Sequence, residues 1–365
     1  MDLIDRIFMT GVSPVTLDGL TSGFNTFKDL TRNRRFEGMM GFTDDEVSDL
    51  LQDARIYSNE THHLIRDWYN GYRFSNGNSE QMYNPAMVLY FCTEYLSQER
   101  MPTNLLDTNI VSDYGKIKRV FRLGGEESQH FDMLKRVLSE GTVSTQIVPQ
   151  FSFERDFTPR DFLSMLFYLG LLTIKGDDFQ RSILGIPNLV IEKLYFDFFQ
   201  ALIDARIEQN TDALDVQEVI YDMARTNQPR PFLELVVDTL TQVSNRDLIH
   251  FNETGLKMIL LCNLHTAQIY TLKSEYESGR GYLDLLLLRQ PPIDTPYQFA
   301  FELKHLKQNQ SAQLKTVAAE GRAQLRRYLK AKGLQAQPNL RAWLVVFVGT
   351  EMKLLEEVFE TSDSE

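Results

Sequence analysis

Gly281-Tyr282-Leu283-Asp284-Leu285-Leu286-Leu287-Leu288 and, a few residues on, Tyr297-Gln298-Phe299-Ala300-Phe301-Glu302-Leu303-Lys304 are the two stretches that decide how this chain is read. Each is an apolar run of strand length. An aspartate opens the first, and a Glu-x-Lys pair closes the second. Side chains alternate along a strand, so Glu302 and Lys304 point to one face. Tyr297, Phe299, Phe301 and Leu303 point to the other face and can be buried. If the two strands are neighbours, two carboxylates and an ammonium meet at one end of a sheet. Two carboxylates suit a hard divalent cation such as Mg²⁺. The lysine can orient, or help activate, a water that attacks a phosphodiester.

The flanking pattern extends this unit. Residues 251–261 read as a helix starting near the acid Glu253, and residues 269–272 as a first strand that exits through 274–277. Residues 318–329 read as a helix after the Glu302 strand, and residues 344–348 as another buried strand. On that second helix Gln324 and Tyr328 are four residues apart and share a face. Taken singly, each residue has an ordinary reading: a surface ion pair, an acid at a helix N-terminus, a polar helix face. It is their joint order over about a hundred residues that carries weight.

Asp284 with Glu302-Leu303-Lys304, in the order helix, three strands, helix, strand, resembles the PD-(D/E)XK nuclease superfamily. Gln324-x-x-x-Tyr328 resembles the signature of its RecB-like branch. The resemblance implies an α/β fold whose C-terminal core is a mixed sheet flanked by helices. It implies that Asp284 and Glu302 hold Mg²⁺ or Mn²⁺, with the Leu303 carbonyl as a third protein ligand and Glu253 completing the set or bridging a second ion. Lys304 would position the water or neutralise the phosphate. Gln324, Tyr328 and Arg327 would shape the side of the site that binds the nucleic-acid strand.

Composition is compatible with this. At 365 residues the chain can bury a sizeable core and hold two or more domains. With 24 Phe and 15 Tyr, long disorder is not expected. Two cysteines, Cys92 and Cys262, lie far apart in apolar segments, which suits a reducing cytoplasm and excludes a Cys-rich zinc site. No stretch is long and uncharged enough to span a bilayer, so no membrane association is expected. The net charge of −12 opposes nucleic-acid binding at first sight. A local site can override it: Lys304, Lys307, Lys315, Arg322, Arg326, Arg327, Lys330, Lys332 and Arg341 cluster in one segment where acids are sparse. A basic face beside a carboxylate site suits a phosphodiester substrate, DNA before RNA.

The first half reads differently. Residues 7–14 suggest a buried strand ending in a polar turn, and 17–25 a loop with helix-start signals. Thr43 with Glu46 three residues on is a capping box. Residues 68–74 form an aromatic turn feeding a helix from Tyr83-Asn84-Pro85. Residues 162–170 read as a helix closed by glycine. Two strands, 171–175 and 182–188, flank a turn at Gly176-Asp177-Asp178, giving a mainly α region with a winged-helix-like unit. These segments resemble bacterial AAA-ATPase-like proteins in which such a region precedes a RecB-like nuclease domain. Thr10 falls where that family has a nucleotide-sensing residue, and Arg73 where it has a lid arginine. No Gly-x-x-x-x-Gly-Lys-Ser/Thr occurs, so nothing cradles nucleotide phosphates and ATP hydrolysis is not expected. The chain therefore reads as a remnant, or a fragment, that starts near the last strand of an ATPase core.

The expected organisation is 1–95 as the ATPase-like remnant with its helical lid, 96–206 as the winged-helix-like domain, and 207–365 as the nuclease domain. Polar residues 207–215 mark a boundary, helices follow over 216–224 and 232–240, and the tail 360–365 is expected to be disordered. A metal-dependent nuclease is the leading reading. A non-catalytic module that binds nucleic acid or a protein partner is the alternative, with the N-terminal half serving a partner or a second copy.

Overall fold

The computed structural model describes residues 8, 30–76, 80–106, 120–121, 129–149, 157–205, 213–244, 253–278 and 281–359. The strand expected over 7–14 (Phe8 apart), the loop at 17–25, Thr10, most of the 207–215 boundary and the tail 360–365 lie outside them. The chain divides into two compact units, residues 1–194 and 195–365.

In the first unit, helix α1 (Asp44–Asp53) opens on the expected capping box: Thr43 Oγ1 accepts from the Glu46 amide, and the Glu46 carboxylate accepts from the Thr43 amide. This satisfies two of the donors that a helix start leaves orphaned. Helix α2 (Asn59–Tyr69) ends in Trp68 and Tyr69, both buried, and α3 (Pro85–Gln98) begins on the Asn84 cap with proline in its first turn. Asp44 ties these elements together, accepting from Arg66 at 2.5 Å and from the Tyr83 hydroxyl at 2.5 Å.

Helix α4 (Gln129–Glu140), β1 (Thr142–Thr145), α5 (Pro159–Tyr168), β2 (Thr173–Asp178) and β3 (Arg181–Gly185) follow. The three strands form an antiparallel sheet in the order β1-β3-β2. Gly170, at φ +73°, closes α5 as expected. The hairpin turn is not at Gly176-Asp177-Asp178. Those residues extend β2, and the chain reverses at Phe179-Gln180, with Phe179 at φ +53° and fully exposed. The ladder continues past a β-bulge at Lys175, with Gly176, Asp177 and Asp178 opposite Ile183, Ser182 and Arg181, so these residues pair instead of turning. Helix α6 (Leu189–Asp204) carries the chain into the second unit.

There, α7 (Ala213–Thr226) and α8 (Arg230–Ser244) pack with α9 (Glu253–Ala267). Helix α9 is buried on nearly every side from Gly255 to Leu264. It packs against β4 (Tyr270–Ser278) and β6 (Gln298–Leu306) of a five-stranded sheet. Strand β5 (Gly281–Arg289) lies between those two. Helix α10 (Leu314–Leu329) and the short α11 (Lys332–Gln335) then lead to β7 (Leu340–Val348) and β8 (Glu351–Glu357). The order is β4-β5-β6-β7-β8, antiparallel except for the β6–β7 pair. Parallel neighbours need a crossover, and α10 supplies it. Its Leu325 and Tyr328 close over Leu286, Ala300, Leu344 and Val346. This is the expected mixed sheet flanked by helices. The edge strand β8, half-exposed and rich in glutamate, has no apolar run and was not expected from the sequence. Among the described residues no helix is long and apolar enough to cross a membrane.

Candidate active site

Strands β5 and β6 are neighbours, as the site requires. Their ladder pairs Leu287 with Phe299, Leu286 with Ala300 and Leu285 with Phe301. One step further the register sets Asp284 against Glu302. Here the side chain takes over from the backbone: Asp284 Oδ2 accepts from the Leu303 amide at 2.7 Å. The parallel β6–β7 ladder continues through Leu306 and Val348, so β6 stays paired with β7 where β5 parts from β6 and keeps only its β4 partner. Asp284 does not open its strand. It is the fourth residue of β5, because Gly281 to Leu283 pair with β4 before it. Tyr297 stands just outside β6 and is only half-buried, with Arg341 over its ring.

Phe299, Phe301 and Leu303 are fully buried, as alternation predicts. Glu302 is also 0 % exposed, which alternation alone does not foresee. Its Oε1 accepts from Lys304 Nζ at 2.6 Å, while its Oε2 is buried without a hydrogen-bond partner. Burial, then the Asp284 charge, push the Glu302 carboxyl up to about 7, and the nearby Glu253 adds to this. The Lys304 hydrogen bond opposes the rise without cancelling it. For Lys304, burial works against the ammonium, but the bond to Glu302 and the charges of Glu302, Asp284 and Glu253 outweigh it and hold its pKa above the ordinary value.

Glu253 is the first residue of α9, where an acid complements the helix dipole. Its charge reaches Glu302 and Lys304. Among the described residues, no three His, Cys, Asp or Glu side chains converge to chelate an ion. The strand register sets Asp284 opposite Glu302, and the charge of Glu253 acts on Glu302. The donor set fits a hard cation nonetheless. Two like charges face each other across the strand register, and a buried carboxylate oxygen lacks a partner. A cation there would answer both, since an unpartnered buried charge is costly.

Two residues near the site carry no motif. Lys257 lies one helical turn beyond Glu253 and is 5 % exposed, an ammonium in the buried stretch of the helix. Its four-residue spacing from Glu253 was the available signal. Gly321 lets α10 descend onto the sheet: a Cβ there would lie 2.7 Å from Leu344 Cδ1 and 3.6 Å from the Lys304 stem. The signal was a glycine inside a helical pattern.

Gln324 and Tyr328 do share a face and bond directly, Nε2 donating to Oη at 2.6 Å. Tyr328 is a core residue, 2 % exposed, whose hydroxyl lies 2.6 Å from where a Cβ on Gly281 would sit. Gln324 is half-buried, and Arg327 is exposed beside the Tyr328 ring. The basic face is smaller than the sequence suggests. Arg322 is held by Glu356 at 2.7 and 2.8 Å, and Arg341 lies 3.5 Å from Glu357. Both acids come from β8, 34 and 16 residues away in sequence, so a local charge count misses them. Lys307, Lys315, Arg327, Lys330 and Lys332 remain exposed.

An uncharacterised protein of Azotobacter chroococcum mcd 1, encoded in the region 5′ of vnfD, is 29% identical over 147 residues. The match covers 38% of this chain and 26% of that relative. Residues 251–357, which contain Glu253, Asp284, Glu302, Lys304, Gln324 and Tyr328, match a family model of the PD-(D/E)XK nuclease superfamily, and the C-terminal sheet with its helices is a fold of that nuclease-like kind.

Proposed function

We propose that the chain is a Mg²⁺- or Mn²⁺-dependent nuclease that hydrolyses phosphodiester bonds in DNA. The observation that carries this is Glu302: fully buried, one oxygen on Lys304, the other without a partner, with Asp284 opposite in the strand register. Asp284 and Glu302 would hold the cation, with the Leu303 carbonyl as a further oxygen donor and Glu253 completing the set. When bound, the cation supplies Lewis acidity that favours deprotonation of the attacking water and offsets charge developing on the phosphate. Lys304, charged at all physiological pH values, orients that water or neutralises the phosphate. Gln324, held by Tyr328, and the exposed Arg327 contact the DNA strand.

In this reading residues 207–365 form the nuclease domain of a RecB-like enzyme. Residues 96–206 form a winged-helix-like domain and 1–95 an ATPase-like region, in the cytoplasm. The test is incubation of the purified protein with linear and circular, single- and double-stranded DNA in Mg²⁺ and in Mn²⁺. Asp284→Ala and Lys304→Ala should abolish cleavage. Cleavage at the wild-type rate by either clean variant refutes the assignment.

The order α4-β1-α5-β2-β3, a helix followed by a hairpin that joins a third strand, supports a second reading. In it the N-terminal half binds nucleic acid or a protein partner and the nuclease-like fold is a scaffold. DNA binding that survives chelation, with no cleavage in either ion, would favour it.

A further inference from the structure

The ladder between β5 and β6 ends at Leu285 and Phe301, but β5 does not end there. It runs on with β4 alone, setting Leu283 opposite Tyr276, Tyr282 opposite Glu277 and Gly281 opposite Ser278. The two strands form a ledge with Asp284 at its root. Helix α10 anchors that ledge through Tyr328. Ser278, buried, donates from Oγ to the Tyr328 carbonyl at 3.1 Å. Gly281 lies so close to the Tyr328 ring that a Cβ there would be 2.6 Å from its hydroxyl oxygen and 2.8 Å from Cε1. Gln324 Nε2 donates to the same hydroxyl at 2.6 Å.

On this anchored ledge one aromatic side chain stays in solvent. Tyr282 is 56 % exposed, while Leu283 beside it is fully buried. Residues two apart on a strand share a face, so Tyr282 and Asp284 lie on the same side of β5, about 7 Å apart along the strand. A single exposed aromatic is ordinary on a protein surface. This one is held one pleat away from a carboxylate of the candidate site. The charge beside it selects what can lie on the ring. Glu277, directly across the ladder, is exposed and shares its face. An acid there repels a phosphate but not the flat face of a nucleobase. A phosphate is drawn instead to Lys304, whose ammonium lies 2.6 Å from Glu302.

We propose that Tyr282 positions the substrate by stacking on an unpaired nucleobase of the strand whose phosphate lies at Asp284 and Glu302. This rests on the nuclease reading and narrows it. The preferred substrate is single-stranded DNA, whose bases are free to stack on a protein ring. In a duplex the bases are already stacked on one another and paired, so the ring gains nothing.

The test separates stacking from cleavage. In chelator, anisotropy reads the full chain binding oligo(dT) and an abasic oligonucleotide of the same length, which keeps the phosphates and lacks the bases. The intact chain should bind oligo(dT) about tenfold more tightly, the scale of one base stacked on an aromatic ring. Tyr282→Leu should lose that preference and Tyr282→Phe should keep it. In Mn²⁺, Tyr282→Leu should raise KM for single-stranded DNA by about tenfold while kcat and any duplex cleavage stay unchanged. A purely structural role would move duplex cleavage as well. No preference for oligo(dT) in the intact chain, or the same preference in Tyr282→Leu, overturns the inference; cleavage that persists in those proteins leaves the nuclease reading standing. A preference that Tyr282→Leu removes, with no cleavage in either ion, supports the stacking contact and overturns the nuclease reading.

Discussion

Replacing Glu302 by Gln should make the metal-free protein less sensitive to pH and more stable at pH 8. The carboxyl titrates at about 7 in the fold, against 4.5 for an ordinary glutamate. Because the folded value is the higher one, the fold binds the proton more tightly than the unfolded chain does. Stability from this group is therefore fully present below about pH 4.5 and is lost as pH rises through about 7. The loss when Glu302 is fully charged is about 3 kcal/mol. For a unit of this size that is a fall in Tm on the order of 10 °C between pH 5 and pH 8. Lys304 does not contribute, since its raised pKa keeps it charged across the window. The assay is thermal unfolding in chelator, followed by tryptophan fluorescence in a Trp68→Phe background, so that Trp343 on β7 reports the second unit alone. The Glu302→Gln profile should be flatter than the parent's by that amount. Saturating Mn²⁺ should flatten the parent profile too, because a cation favours the ionised carboxylate. Parallel profiles for Glu302→Gln and its parent would refute the reasoning.

Lys304→Met leaves the buried Glu302 carboxylate without its counter-charge, so it should cost about 3–5 kcal/mol at pH 8 and much less at pH 5, read by denaturant unfolding. Gly281→Ala drives a Cβ onto the Tyr328 hydroxyl and should destabilise by about 1–3 kcal/mol. Adding Tyr328→Phe should recover part of that, since it removes the nearest atom, and chemical denaturation of the pair reads the difference. Thr43→Ala deletes a capping box in the first unit and should lower stability by about 1 kcal/mol while leaving any DNA cleavage rate unchanged.

The elements that read clearly in the sequence are those whose signal is local. The capping box at Thr43 and Glu46, the glycine closing α5, and the apolar runs of β5, β6 and β7 depend on residues within a few positions of one another. So did the common face of Glu302 and Lys304, because alternation along a strand is a property of the backbone. Where the signal was ambiguous the local reading failed. Gly176-Asp177-Asp178 has turn chemistry, yet the pairing of β3 with both β1 and β2 drew it into a strand and moved the turn to Phe179.

By itself, then, the sequence determined the order of the elements, the strand and helix faces, and the residues that could bear chemistry at the C-terminal site. Tertiary structure alone decided how those residues act. Burial of Glu302 to 0 % exposure comes from helices and strands closing over both faces of β6, and it sets the raised carboxyl pKa. The bond from the Leu303 amide to Asp284 exists because β5 departs from β6 there. The pairing of Arg322 and Arg341 with the glutamates of β8, and the anchoring of the Arg73 amide by Thr173, 100 residues away, depend on segments brought together from distant parts of the chain. Charge and desolvation act through space, so no reading confined to sequence neighbours could assign them.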